Sequence, residues 1–138
     1  MADAGFAFLS QNTFLKAPAG DATRFFAVAG VCWDGSVTNR PGARFGPDAI
    51  RRASHMLCDG THPLFDVSPL DMLTDLGDLP LPNTSLAGMR EAMAQCVPAI
   101  IARHHVCWLG GDHSITLPLL RAYRAQHGVP LGLLHFDA

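Results

Sequence analysis

Two short stretches of the chain carry metal-binding side chains directly after apolar runs that are typical of buried strands. The run 106–109 is followed by Gly-Gly-Asp-His-Ser at 110–114, and the run 131–134 leads into His-Phe-Asp-Ala at 135–138. Because glycine tolerates backbone angles that other residues rarely adopt, the glycine pair lets the chain turn sharply at the end of a strand. His113 and Asp137 then provide an imidazole and a carboxylate, which are ligand types of a divalent metal site.

These two side chains meet only if their strands belong to one parallel sheet. Apolar segments of strand length alternate with helix-like segments, and they span 24–32, 70–76, 106–109 and 131–138. This β-α alternation predicts a parallel sheet with right-handed crossovers and helices on both faces, a three-layer α/β/α fold. In such a sheet the carboxyl ends of the strands open on one edge, where ligands bind. The sequence therefore predicts four parallel strands, with His113 and Asp137 at the same edge.

Local signals predict how the helices begin and continue. Pro47 suits the first turn of a helix, because its missing N–H is not needed there, and Arg51 and Arg52 are assigned to the solvent side of that helix. One of the polar residues 83–85 is expected to cap the second helix. Pro98 lies inside this second helical segment and predicts a kink or a break.

Composition limits the classes of protein that the chain can belong to. Charged residues make up 16% of the sequence, against roughly 25% in an average globular protein, which predicts that much of the segment is interior. The net charge is −2 and the sequence has no Lys/Arg cluster, so it does not predict a basic surface that would bind nucleic acid. The four cysteines lack C-x-x-C spacing, and Cys107 is interpreted as a core residue of its strand. Without a signal-peptide pattern or a membrane-length apolar run, we expect a cytoplasmic protein with no membrane partner.

The motifs at 110–114 and 135–138 resemble the first two metal-binding motifs of the ureohydrolases, the arginase and agmatinase family. A third match, Thr-Asn-Arg-Pro-Gly-Ala-Arg-Phe-Gly-Pro at 38–47, resembles the agmatinase branch more than the arginases, and 11–18 resembles the N-terminal segment of that branch. The three motifs occur in family order, and the resemblance spans most of the chain, from about residue 6 to the end. The resemblance implies an arginase-like fold, incomplete here, in which residues 1–138 form the N-terminal part of a single ureohydrolase domain.

The resemblance also implies a set of site residues and a cofactor. Two Mn²⁺ ions are expected, with His113 binding one ion terminally and Asp137 bridging both. Asp112 is interpreted as a cap of the following turn or as a residue that orients His113. His135 lies on the same strand face as Asp137 and is expected near the metal or the substrate. The other ligands of the family, a His-x-Asp after Ala138 and a later Asp-x-Asp, are not in the sequence, so the segment alone is expected to be inactive.

In this family a metal-bridging hydroxide attacks a guanidinium carbon and produces urea and an amine. The leading hypothesis is an agmatinase-like enzyme of polyamine metabolism that acts on a linear guanidino compound, as a homo-oligomer (trimer or hexamer). The alternatives are a guanidinobutyrase or formiminoglutamase of the same family, or a truncated, non-catalytic protein that only binds partners. Arg40 and Arg44 are interpreted mainly as parts of a structural loop, although either could pair with a substrate carboxylate.

Overall fold

Three parallel strands with helices on both faces form the structure, a computed structural model that describes residues 12–58 and 60–136. The strands occur in the order β2-β1-β3, and their bounds are β1 Phe26–Val31, β2 Leu73–Asp78 and β3 His105–Gly110. The helices are α1 Gly46–Ser54, α2 Leu86–Ile101 and α3 Thr116–His127. This architecture confirms the three-layer α/β/α prediction for this part of the chain.

The register of the sheet brings the carboxyl ends of β1 and β3 to the same level. Phe26 pairs with His105 at one end, and Val31 pairs with Gly110 at the other, in an uninterrupted parallel ladder. On the other side, the β1–β2 ladder is irregular after Val28. The turn that follows β3 therefore begins beside the end of β1, at the edge where ligands bind in parallel sheets.

α2 and α3 cover one face of the sheet and build the main hydrophobic core. Met89, Met93 and Val97 of α2 are completely buried at helical spacing, so α2 presents one apolar stripe to the sheet. Ser85 caps α2 by accepting a hydrogen bond from the N–H of Gly88 at 3.0 Å, as predicted for one of the residues 83–85. Within the described ranges, no helix is both long and apolar enough to span a membrane.

α1 lies on the opposite face of the sheet, where the β-carbon of Pro47 approaches Gly30. Only glycine fits at position 30, because the carboxylate of Asp78 occupies the space that a side chain would take. A β-carbon at Gly30 would lie 1.8 Å from Asp78 Oδ1. Beyond α1, this face carries an apolar groove of about 570 Å³. Its lining includes Phe14, Phe26, Val28, Leu73, Cys107 and Leu109.

The predicted fourth strand is wrong for the residues that the structure describes. Residues 131–136 have no regular secondary structure and do not pair with β3. Leu134 and Phe136 are 81% and 86% exposed, although their apolar character predicted a buried strand. A strand forms only when the segment pairs with a neighbouring edge, and local hydrophobicity does not determine whether 131–136 pairs with the open edge of β3.

Three other predictions are corrected. Arg51 is completely buried, because two carboxylates of β2 satisfy its charge; Arg52 is exposed as predicted. α2 continues through Pro98 without the break that was one of the two predicted outcomes, since its buried apolar stripe holds the helix on the sheet on both sides of the missing N–H donor. Cys107 is exposed rather than in the core, because β3 is an edge strand and faces the open groove.

The bounds of two strands also differ from the prediction. β1 is shorter than the segment 24–32, and β2 begins later than residue 70, because Pro69–Asp71 forms a 3-10 turn capped by Ser68. Pro69 sets the backbone angle of this turn and cannot donate to a sheet ladder, so pairing with β1 begins only at Leu73.

Candidate metal centre

The turn after β3 depends on close contact between Gly111 and the end of β1. A β-carbon at Gly111 would lie 2.6 Å from the carbonyl oxygens of both Val31 and Trp33, so only glycine fits. Gly110 is similarly close to α1, because a β-carbon at Gly46 would lie 2.7 Å from the Gly110 carbonyl oxygen. Both glycines of the motif therefore lie in crowded positions: backbone oxygens surround Gly111, and a β-carbon at Gly110 itself would lie 2.6 Å from Cδ1 of the Ile115 side chain.

Asp112 caps the 3-10 turn His113–Ile115 that leads into α3. Its Oδ1 accepts hydrogen bonds from the N–H of Ser114 at 2.9 Å and from the Ser114 hydroxyl at 2.5 Å. Its Oδ2 accepts a hydrogen bond from the N–H of Ser36 at 2.8 Å. The capping that the sequence predicted for Asp112 is present, and both carboxylate oxygens are engaged by the protein.

His113 is the first residue of this turn, and its side chain is exposed. The structure brings it beside His135. The two imidazole rings have a centroid separation of 5.0 Å and an interplanar angle of 72°. Asp137, predicted to bridge the two metals, lies outside the described residues. The imidazoles at this edge are suitable donors for a divalent ion. However, the described ranges contain no group of three His, Cys, Asp or Glu side chains that could hold one.

The loop 34–46 connects β1 to α1 and is fixed by Asp34, a buried residue with 3% exposure. Asp34 accepts hydrogen bonds from the N–H of Gly42 at 2.7 Å and from Arg44 Nε at 2.6 Å. The hydrogen bond from Arg44 lowers the pKa of Asp34 below its ordinary value of 3.8, against the opposing effect of burial. Arg44 thus has a structural partner, in agreement with the favoured interpretation of this loop, whereas Arg40 is exposed.

Sequence reasoning missed the buried ion cluster of Arg51, Asp75 and Asp78 that joins α1 to β2. Arg51 donates to both oxygens of Asp75, and its Nη1 also pairs with Asp78. A signal was available, because Asp75 lies inside the segment 70–76 that was predicted as a strand, and Asp78 follows two residues after that segment. Buried charges are normally paired, so these aspartates indicated a basic partner elsewhere in the fold.

The fold is that of the ureohydrolases of known structure. The crystal structure of a hypothetical agmatinase from Burkholderia thailandensis matches 91% of this chain with a TM-score of 0.83 and 33% identity. Proclavaminate amidino hydrolase from Streptomyces clavuligerus matches 90% with a TM-score of 0.75 and 30% identity. This chain covers 42% of each of those chains, so the fold is partial.

The model of the arginase family matches residues 24–138, and the chain therefore belongs to the arginase family. It is 37% identical over 136 residues to a guanidinopropionase of Pseudomonas aeruginosa, covering 95% of this chain and 42% of that protein. It is also 41% identical over 120 residues to an agmatinase of Neisseria meningitidis, covering 82% of this chain and 38% of that protein. The chain thus spans about two fifths of the length of these relatives.

Proposed function

We propose that the full-length protein hydrolyses a linear guanidino compound to urea and an amine, with agmatine as the preferred substrate. The observation that carries this proposal is membership of the arginase family, together with relatives whose names all refer to hydrolysis of guanidino compounds. By family resemblance, the proposal includes a cytoplasmic homo-oligomer, a role in polyamine metabolism, and residues 1–138 as the N-terminal part of one domain.

We propose His113 and Asp137 as metal ligands in a site that is completed by residues of the full-length protein outside 1–138. A bound Mn²⁺ pair would lower the pKa of water and supply hydroxide at neutral pH. The residues of this chain hold the turn in place: Gly111 permits the close turn at the end of β3, and Asp112 caps the residues that follow. His113 is left exposed at the edge of the sheet, and His135 lies beside it.

The preference for agmatine over a guanidino acid rests on the charge of loop 34–46. A substrate carboxylate needs a cation or backbone N–H groups, whereas an amine tail does not. Arg44 is one of the two cations of the loop and is already paired with Asp34. This pairing weakens the case that the loop binds the carboxylate of a guanidino acid. A guanidino acid is the second candidate, because Arg40 is exposed and two relatives are named guanidinopropionase and guanidino acid hydrolase.

The test is urea release by the purified full-length protein with Mn²⁺. We expect a higher kcat/KM for agmatine than for guanidinobutyrate, guanidinopropionate or arginine. If guanidinobutyrate is preferred and Arg40→Ala removes that preference, the agmatine assignment is wrong and the loop binds a carboxylate. If none of these substrates releases urea, the proposed reaction is wrong, and formiminoglutamate is the next substrate to assay.

A further inference from the structure

The two carboxylate oxygens of Asp112 bind two segments that are far apart in the sequence. Oδ1 accepts from the backbone and hydroxyl of Ser114, which belongs to the turn that carries His113. Oδ2 accepts from the N–H of Ser36, 76 residues earlier, in the loop 34–46. A cap of the turn alone would require only the first oxygen.

The backbone strengthens the same connection. The N–H of Asp112 donates to the carbonyl of Trp33 at 2.8 Å, directly before the loop. Gly111 packs against the same carbonyl, so the end of β1 and the turn after β3 are in contact through both backbone and side chain. The start of the loop is therefore attached to the histidine-bearing turn by two hydrogen bonds, both of which involve Asp112.

The C-terminal end of the loop also contacts the end of β3. Gly46 packs against the carbonyl of Gly110, and Asp34 holds Gly42 and Arg44 across the loop. Between these attachments, residues 38–41 are exposed. The loop thus begins and ends at the Gly-Gly-Asp-His motif, and its exposed segment projects from that edge of the sheet.

We propose that Asp112 is a positioning residue that couples the His113 turn to the loop 34–46, and that this loop meets the tail of the guanidino substrate. A carboxylate is needed because both of its oxygens accept hydrogen bonds at once, whereas asparagine offers one acceptor oxygen and an NH₂ that only donates. The substrate part of this proposal rests on the proposed function, but the coupling does not.

Amide hydrogen exchange on the full-length protein tests the coupling without any assay of activity. Asp112→Asn retains the shape of the side chain but cannot accept from Ser36 and Ser114 together. We expect the Ser36 amide to exchange about ten to a hundred times faster in this variant, the range that corresponds to loss of one hydrogen bond to a charged group. Ser114→Ala is the matched control, because it removes a bond to Oδ1 and should leave Ser36 exchange unchanged. Wild-type exchange of Ser36 in Asp112→Asn would overturn the coupling.

Two substitutions at Ser36 test the role of the loop while leaving Asp112 intact. Ser36→Pro removes the N–H donor, whereas Ser36→Ala removes only the hydroxyl and keeps the donor. We expect Ser36→Pro to raise the KM for agmatine by up to about tenfold with retained Mn²⁺ content, and Ser36→Ala to leave the KM unchanged. Equal KM values in all three proteins would overturn the substrate role of the loop. If agmatine releases no urea even in the wild type, the proposed function fails, while the exchange of Ser36 still decides the coupling.

Discussion

Arg51 and Asp75 form a bidentate ion pair, and both side chains are completely buried. Arg51 Nε donates to Asp75 Oδ2 at 2.8 Å, and Nη2 donates to Oδ1 at 2.9 Å. Burial alone would lower the pKa of Arg51, but its hydrogen bonds to Asp75 and Asp78 outweigh that effect and raise it. Because Asp75 also accepts from the N–H groups of Phe14 and Gly77, this pair fixes α1, β2 and the segment before β1 relative to one another.

Arg51→Met should lower the free energy of unfolding by about 3–5 kcal/mol, because it leaves buried carboxylates without their cation. Urea denaturation followed by circular dichroism measures this loss. Arg52→Met is the matched control on the same helix, because Arg52 is 70% exposed in its pair with Asp48. The control should change stability by less than about 1 kcal/mol. Equal losses in both variants would contradict the structural role of the buried cluster.

Gly111→Ala should destabilise the turn that carries His113. The added β-carbon would lie 2.6 Å from two backbone carbonyl oxygens, which cannot move aside as a flexible side chain can. We expect a loss of about 1–3 kcal/mol in the free energy of unfolding and weaker retention of Mn²⁺ by the full-length protein. Gly132→Ala is the control, because its β-carbon would have no neighbour within 4 Å among the described residues. A variant at Gly111 that is as stable as this control would refute the close contact.

The pair of Asp34 and Arg44 predicts a pH dependence of stability in the acid range. The pKa of Asp34 is lowered from 3.8 in the folded protein. Above pH 3.8 its carboxylate is charged in both the folded and the unfolded states, so the stabilisation is fully present. As the pH falls below 3.8, the unfolded state takes up the proton first, and the stabilisation is lost as the pH passes the lower folded-state pKa.

We therefore expect the difference in unfolding free energy between the wild type and Asp34→Asn to be constant near neutral pH and to shrink below pH 3.8. Arg44→Gln should reproduce this pattern, since it removes the group that chiefly lowers the pKa of Asp34. Denaturant titrations at a series of pH values provide the measurement. A difference that grows as the pH falls would have the wrong sign.

Cys32 should resist alkylation in the native protein. Burial, assisted by the charge of Asp78, raises the pKa of its thiol from 9.0 to about 12. Three pH units correspond to about a thousandfold smaller thiolate fraction, and the thiolate is the reactive form. Iodoacetamide at pH 8, followed by peptide mass spectrometry, should label the exposed Cys58 well before Cys32. In urea both cysteines should react; equal native rates would contradict the burial of Cys32.

Metal analysis after dialysis tests the proposed ligands in the full-length protein. His113→Ala should weaken one Mn²⁺ more than the other, because a terminal ligand serves one ion. Asp137→Ala should disrupt both, because a bridging carboxylate serves two. Arg52→Met, on the exposed side of α1, should retain the wild-type metal content. Equal stoichiometry in the His113 and Asp137 variants would contradict the assignment of terminal and bridging roles.

Local chemistry was sufficient to predict the order of the three strands and three helices up to His127, and the turn that carries His113. Apolar runs, a helix-starting proline, the cap of α2 and the glycine pair each act over a few residues, so their meaning does not depend on the rest of the fold. For the same reason, the three motifs at 38–47, 110–114 and 135–138, in family order, were enough to recognise the family. The predicted metal-bridging role of Asp137 stays a prediction, because that residue lies outside the described part of the chain.

Only the tertiary structure decided which charged groups are paired and which apolar residues are covered. Arg51 is buried because β2 brings Asp75 and Asp78 to it, and Asp112 binds Ser36 because β1 and β3 are neighbours. These partners are 24, 27 and 76 residues apart, so the helical or strand periodicity around each residue contains no information about them. Conversely, residues 131–136 have the hydrophobicity of a strand but are exposed, because burial depends on a neighbouring surface as well as on the residues themselves.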